Sequence, residues 1–440
     1  MAKSSADLRV QTKHRHWLRR FKQGVVNIGS SRKLRLAYTS AIMILLAVYI
    51  THGWLWATNA DNLPARAYSL IFDYCFPVVA AITIVASIIL LATPFGGEKM
   101  ADDFRRIGLV NAAGEPPQLL RRYKDKSANH VTVMEYDSRG LPLPKWEDMR
   151  GNIESILNLN IAKITQGSNN ATVNLYTVPA SAGLPDRIDW KDKYLEKDSA
   201  IYVLGKSLLG DVKVDINKTP HILLGGSTGS GKSVLLRLLL YQAIKKGAIV
   251  QVVDFKGAVD FNAYWDDWAD IITDIDTAIL KLDMLVQELA RRKRLLRESK
   301  CRNIDEHNKK ADLKLRRIIF GVDEIAEMLD KSGLDKAARD KQSKAEGMLA
   351  TIARQGRAFG IHLILSTQRP DAAVVPGQIK NNIDYRVCGK ADNVLSVIIL
   401  DCGDAEDRIP KDSQGLFLDN TGTLFRAYYF DDELLQHIRW

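Results

Sequence analysis

A chain of 440 residues, 26% charged and 46% hydrophobic, has room for two or three domains and folds mostly as soluble structure, which excludes a protein lying wholly in lipid. Lys and Arg number 62 against 52 Asp and Glu, a net charge of +10, and that balance favours a polyanionic neighbour such as nucleic acid or an anionic lipid surface. The four cysteines, Cys75, Cys301, Cys388 and Cys402, share no C-x-x-C spacing and no nearby histidine pattern, so they read as unrelated reduced thiols rather than a zinc site.

Residues 1–36 form a basic arm. Its first 35 residues carry ten Lys or Arg, among them Arg15, Arg19, Arg20, Lys22, Arg32, Lys33 and Arg35, against one acid, Asp7. Two runs free of Asp, Glu, Lys and Arg follow, 37–57 and 74–92, each close to the roughly 20 residues that cross a bilayer's hydrocarbon layer. Trp54 and Trp56 stand at one end of the first run, where interfacial indoles collect, and Pro77 is read near the start of the second, where it disturbs a helix least. The 36 residues before the first run disfavour a cleaved signal peptide. The connection from Asn59 to Asp73 carries Arg66 alone as a base, so the positive flanks place both chain ends in the cytoplasm and the hairpin tip outside. The expected location is the cell membrane, with two spans and lipid as a neighbour of the basic arm.

A linker is expected over 93–130, opening on "TPFGGEKMADD". From 131 to 200 the pattern reads as a small α/β module: "HVTVMEY", "NIAKIT" and "TVNLYTV" alternate as strands, and "KWEDMRGNIESILNL" has helical spacing. From 201 to 440 apolar strands alternate with helices, including a long charged helix from Asp276 to Lys300, which implies an α/β fold with a parallel sheet covered on both faces.

The chemistry gathers at strand ends in that last region. Gly226, Ser227, Thr228, Gly229, Ser230, Gly231, Lys232 and Ser233 spell G-x-x-x-x-G-K-S between a strand and a helix, the context that a phosphate-binding loop requires. Its backbone N–H groups and the helix N-terminus attract phosphate oxygens, Lys232 reaches the β- and γ-phosphates of ATP, and the Ser233 hydroxyl is placed to ligate Mg2+. In "RRIIFGVDEIAEM" a strand ends in Asp323 and Glu324; Asp323 is assigned to the metal and Glu324 to the general base. In "GIHLILSTQRP" a strand expected beside the first one ends in Ser366, Thr367 and Gln368, and Gln368 is placed to sense the γ-phosphate. The run Arg291, Arg292, Lys293 and Arg294 reads as a solvated helix face.

At this point the sequence resembles the FtsK/SpoIIIE group of membrane-anchored, hexameric DNA-translocating ATPases. "HILLGGSTGSGKSV", "VVDFKG", "LARRKRLLRESKCRNIDEHN", "GVDEIAEM", "IARQGRAFGIHLILSTQRP" and "IKNNIDYRVCGKADNVLSVIILD" follow the family in order across about residues 200–405. The resemblance implies a RecA-like core in a homo-hexameric ring, with ATP sites at subunit boundaries and a cationic finger from the neighbour. Arg386 matches that family segment best, with Arg354 and Arg357 as alternatives. The small module matches the family's adaptor domain in place.

Two departures narrow the expectation. Only two spans are present, and no winged-helix reader is expected in "DSQGLFLDNTGTLFRAYYFDDELLQHIRW". The architecture looks like the compact coupling ATPases of Gram-positive conjugative elements, which deliver relaxase-bound DNA to a mating channel. The expected grip on DNA is on phosphates, without reading bases. The alternatives are a double-stranded DNA pump for segregation or partition, and a type VII-like protein-secretion ATPase.

Overall fold

The structure, a computed structural model, describes residues 21–22, 24–26, 28–29, 32–57, 63–91, 96–125, 128, 130–369 and 375–438. Arg15, Arg19 and Arg20 of the basic arm and Pro370 of "STQRP" lie outside the described residues. The chain divides into two compact units, Met1–Ser181 and Ala182–Trp440.

The first unit opens with helices α1 (Arg32–Ala57) and α2 (Leu63–Leu90). Within them Arg32–His52 and Leu70–Leu90, 21 residues each, are apolar and long enough to cross a membrane, and almost none of that surface is buried in protein. A helix satisfies every backbone N–H and C=O internally, as a lipid solvent demands. The Tyr38 hydroxyl bonds Ser87 Oγ across the pair at 2.8 Å. Pro77 stands inside α2 rather than near its start, because the helix begins at Leu63 with Pro64 in its first turn, where proline is tolerated.

The rest of this unit is a four-stranded antiparallel sheet with three helices. Helix α3 (Gly97–Arg106) precedes β1 (Gln118–Lys124) and β2 (Thr132–Asp137), and α4 (Leu143–Asp148) and α5 (Arg150–Leu157) precede β3 (Leu159–Gln166) and β4 (Thr172–Pro179). The strand order is β1-β2-β4-β3. Phe104, Tyr136 and Trp146 are fully buried and meet at centroid separations of 5.3 to 5.9 Å. The segment expected as a linker thus supplies α3 and β1. Its apolar residues Met100, Phe104 and Ile107 recur at helical spacing beneath a heavily charged face, which hid the periodicity. The "KWEDMRGNIESILNL" stretch is two short helices, divided at Met149.

The second unit contains one ten-stranded sheet. Its strands are β5 (Ile201–Ser207), β6 (Gly210–Asp215), β7 (Ile222–Gly225), β8 (Ile249–Val253), β9 (Asp270–Ile272), β10 (Ile318–Val322), β11 (Ile361–Thr367), β12 (Tyr385–Cys388), β13 (Leu416–Asp419) and β14 (Leu424–Ala427). The order is β6-β5-β14-β13-β12-β7-β11-β10-β8-β9. Pairing is parallel from β12 to β9 and antiparallel from β12 through β13, β14 and β5 to β6. Helix α6 (Lys232–Lys245) packs on one face through Leu235, Leu239 and Tyr241, whereas α7 (Ile275–Glu298) and α8 (Lys336–Gln355) cover the other through Leu282, Leu289, Leu349 and Ile352. Covered on both faces, β7, β10 and β11 are buried at every position, which explains their largely apolar runs; His362, Ser366 and Thr367 of β11 are the polar exceptions. Residues 182–200, expected in the small module, fall in this unit, with Trp190 in its core.

One cation of α7 departs from expectation. Arg291, Lys293 and Arg294 are exposed, but Arg292 is only 2% exposed. It donates to Glu288 Oε1 at 2.7 Å, to the Phe359 carbonyl at 2.7 Å and to the Arg316 carbonyl at 2.8 Å. Arg292→Met is expected to cost about 3 kcal/mol of unfolding free energy, because the Phe359 and Arg316 carbonyls lose their donor and Glu288 keeps Arg291 alone. Arg294→Met is expected to stay within about 0.5 kcal/mol. Denaturant unfolding of the two variants checks the contrast.

Candidate nucleotide site

The loop after β7 is shaped by three glycines in the left-handed half of backbone space, Gly226 (φ 150°), Gly229 (φ 75°) and Gly231 (φ 94°). At Gly226 a side chain would also begin 2.6 Å from Ser230 Oγ, so both conformation and space demand glycine. The loop is tied down from outside: Ser227 N–H donates to the Lys390 carbonyl at 2.8 Å, and Gly415 N–H donates to the Ser230 carbonyl at 2.9 Å. No side chain caps the first turn of α6, so its leading N–H groups remain free for an anion.

The sheet order brings the predicted groups together. With β11 between β7 and β10, the ends of all three strands converge below the loop. Lys232 Nζ donates to the Asp323 carbonyl at 2.9 Å and to Ser366 Oγ at 2.8 Å, and stands 4.0 Å from Asp323 Oδ1. Ser233 Oγ donates to that same Oδ1 at 2.9 Å, and Lys256 Nζ donates to Oδ2 at 2.8 Å. Asp323 is 1% exposed; burial alone would raise its pKa, but the Lys232 charge and the Lys256 hydrogen bond outweigh it and hold the carboxyl below its ordinary value. Burial likewise opposes the charge on Lys256, and its hydrogen bond to Asp323 reverses the effect, raising the ammonium's pKa.

Glu324 is held by the neighbouring strand. Its Oε1 accepts from Thr367 Oγ1 at 2.8 Å and from the Ala326 N–H at 3.2 Å, and its Oε2 accepts from the Gln368 N–H at 2.9 Å. The Gln368 side chain in turn accepts from Thr228 Oγ1 of the loop at 3.0 Å. A chain of contacts therefore runs from the loop through Gln368 to Glu324. Lys256, Ser366, Thr367 and Lys390 were assigned no role in the sequence, yet they join this cluster. A Cβ built on Gly229 would lie 3.7 Å from Lys390 Nζ, so that ammonium stands beside the loop. The available signal was the polar end of β11 and the lysine in "VVDFKG"; the Lys390 approach has no local signature.

The arginines expected to face a neighbouring subunit differ in their engagement. Arg386, in β12, pairs with Asp401 at 2.6 Å and its side chain is 17% exposed. Arg357 donates to the Asn217 carbonyl at 2.7 Å. Arg354 is exposed on α8 and has no ion pair among the described residues. On the other side of the loop lies a cavity of about 420 Å³, lined by Gly231, Val234, Gln414, Arg187 and Tyr429 among others. The Arg187 guanidinium lies 3.7 Å from the Tyr429 ring centre, a stacked pair that gives the mouth of the cavity a flat wall. It opens beside the helix start, where a nucleotide's base and sugar can extend once the phosphates lie in the loop.

Comparison with known proteins gives a consistent answer. The FtsK/SpoIIIE family pattern matches residues 184–372. The DNA translocase FtsK of Campylobacter jejuni is 36% identical over 223 residues, covering 48% of this chain and 22% of that protein. The DNA translocase FtsK of Haemophilus influenzae is 32% identical over 291 residues, covering 57% of this chain and 53% of that protein. This chain thus spans less than two thirds of the length of these relatives. Among solved structures, the pCW3 conjugation coupling protein TcpA, in monomer form with ATPγS, is 39% identical with a TM-score of 0.58, covering 77% of this chain and 96% of that one.

Proposed function

The chain belongs to the FtsK/SpoIIIE family, and from that premise we propose that it is a membrane-anchored ATPase that drives DNA through a homo-oligomeric ring. The observation that carries the reading is the convergence of Lys232, Ser233, Asp323, Glu324 and Gln368 at three adjacent strand ends under one glycine loop.

The donor set fits Mg2+. The Ser233 hydroxyl and the Asp323 carboxylate are hard oxygen ligands 2.9 Å apart beside a phosphate cradle. When bound, the ion draws charge from the β- and γ-phosphate oxygens. The remaining tasks fall to the chain. Loop N–H groups between Gly226 and Ser233, other than those of Ser227 and Ser230, which bond within the chain, join the Lys232 ammonium in holding the phosphates. Glu324, released from Thr367 and Gln368, takes the proton of the attacking water, and Gln368 carries the state of the loop to it. A cation from the neighbouring subunit completes the site. Arg386 must first leave Asp401 to serve in that place, whereas Arg354 needs no such release.

We place the motor in conjugation, as a coupling protein that feeds relaxase-bound DNA to a mating channel, on the strength of the likeness to the TcpA coupling protein along nearly all of its solved chain. The helices α1 and α2 anchor it as a two-span hairpin, with both ends cytoplasmic by the Lys and Arg asymmetry. The full chain, purified in detergent, is expected to hydrolyse ATP faster when single- or double-stranded DNA is added. DNA affinity should fall with salt at a log–log slope near −0.9 per phosphate contacted on duplex. A turnover rate indifferent to every DNA offered defeats the motor reading. Loss of plasmid transfer on deleting the gene in a donor cell, with chromosome partition intact, separates the conjugative role from a segregation pump.

A further inference from the structure

We propose that Lys256 is a displaceable counter-ion for Asp323: its ammonium holds the carboxylate while no metal is bound and yields it to the divalent ion that arrives with a nucleotide. The loop 256–261 then reports whether the site is filled. This rests on the nucleotide reading above and adds to it a residue and a movement.

Four observations carry it. First, both oxygens of Asp323 are occupied within the chain, Oδ1 by Ser233 and Oδ2 by Lys256 at 2.8 Å. A carboxylate 1% exposed needs positive partners, since an uncompensated buried charge costs several kcal/mol; Lys232 stands 4.0 Å from Oδ1, and Lys256 is the cation in direct hydrogen-bond contact. Second, Lys256 is 37% exposed on a long flexible stem and enters from the solvent side, unlike the buried Lys232. Third, a second carboxylate waits for it: Asp260 Oδ2 lies 3.5 Å from Nζ and is 34% exposed, so the ammonium moves from one acid to another without losing a partner. Fourth, the backbone is built for such a change. Asp254, buried at the end of β8, fixes the loop's base by accepting from the Lys256 N–H at 3.0 Å and the Asp260 N–H at 3.3 Å. Between those anchors Gly257 has φ 78° and Ala258 has φ 63°, and a left-handed alanine stores strain of about 1 kcal/mol. Val259 at the tip is 78% exposed.

Electrostatics gives the direction. A divalent ion held by Ser233 and Asp323 would share that carboxylate with the Lys256 ammonium, and the repulsion between the two cations would exceed what the shared carboxylate returns to the lysine. The lysine therefore competes with the metal and acts as a positioning residue for the empty site.

The test is a Mg2+ titration of the full chain in detergent at fixed ATPγS, read by calorimetry, together with hydrogen exchange of residues 256–261. In Lys256→Met the half-saturating Mg2+ concentration is expected to fall by about fivefold or more, because the competitor is gone. The nucleotide-free form should melt earlier, and Lys256→Arg should behave as the wild type. In the wild type, exchange over 256–261 should rise with Mg2+ and ATPγS and not with ATPγS in EDTA, a readout that needs no variant to fold. A half-saturating Mg2+ concentration that is unchanged or raised in Lys256→Met, or loop exchange indifferent to Mg2+ in the wild type, overturns the proposal while leaving nucleotide binding intact. Failure of the wild type to bind ATPγS overturns both.

Discussion

Lys232→Ala is expected to leave the chain folded and to lower ATP turnover by at least about a hundred-fold, as removal of one preorganised donor to a developing anion does elsewhere. The Lys232 ammonium is 7% exposed and sits where three strand ends meet, so no mobile solvent cation substitutes for it at comparable strength. Folding survives because Asp323 keeps Lys256 and Ser233 as partners when Lys232 is gone. Phosphate release at saturating Mg2+ and ATP gives the rate, and the thermal midpoint gives the fold. A variant retaining more than about one tenth of the rate removes Lys232 from the phosphate site.

Glu324→Gln is expected to separate binding from cleavage. Turnover should fall by about 10²- to 10⁴-fold, the range for loss of a general base, while the dissociation constant for ATPγS stays within about threefold. The amide oxygen still accepts from Thr367 and Ala326, so the turn into residues 325–329 is kept. The amide nitrogen, however, meets the Gln368 N–H where Oε2 stood, and two donors repel. Gln368 is thereby pushed against Thr228, so the variant should hold nucleotide in a loop whose exchange differs from the wild type. Rapid-quench measurement of bound ATP against ADP distinguishes this outcome from that of Lys232→Ala, where binding itself is weakened.

The parts of this site legible in the sequence are those whose geometry is local. A glycine loop between strand and helix, and acids at the end of a five-residue apolar strand, announce themselves because strand, loop and helix are contiguous. Gln368 lies beside the loop because β11 pairs with β7, and its side chain accepts from Thr228. Contacts between distant segments left no such trace. Lys390 reaches the loop across more than 150 residues, and Arg187 meets Tyr429 because the backbone of residues 188–190 pairs with Tyr429. Arg292 shows the converse limit. Four consecutive cations on a helix read as solvated, and only the approach of the Phe359 and Arg316 carbonyls reveals that one of them is buried.

The antiparallel extension of the large sheet bears on how the motor can be cut. The match to the family pattern ends at residue 372, yet β12 lines one whole edge of β7, and β13 and β14 join it to β5. A recombinant fragment stopped at that boundary would bare the long side of the central strand and discard both clasps on the glycine loop, the Lys390 carbonyl and the Gly415 amide. Such a truncation should aggregate or bind nucleotide poorly despite containing the glycine loop, Asp323, Glu324 and Gln368. A soluble ATPase piece worth crystallising would need to run from about residue 182 through Ile438.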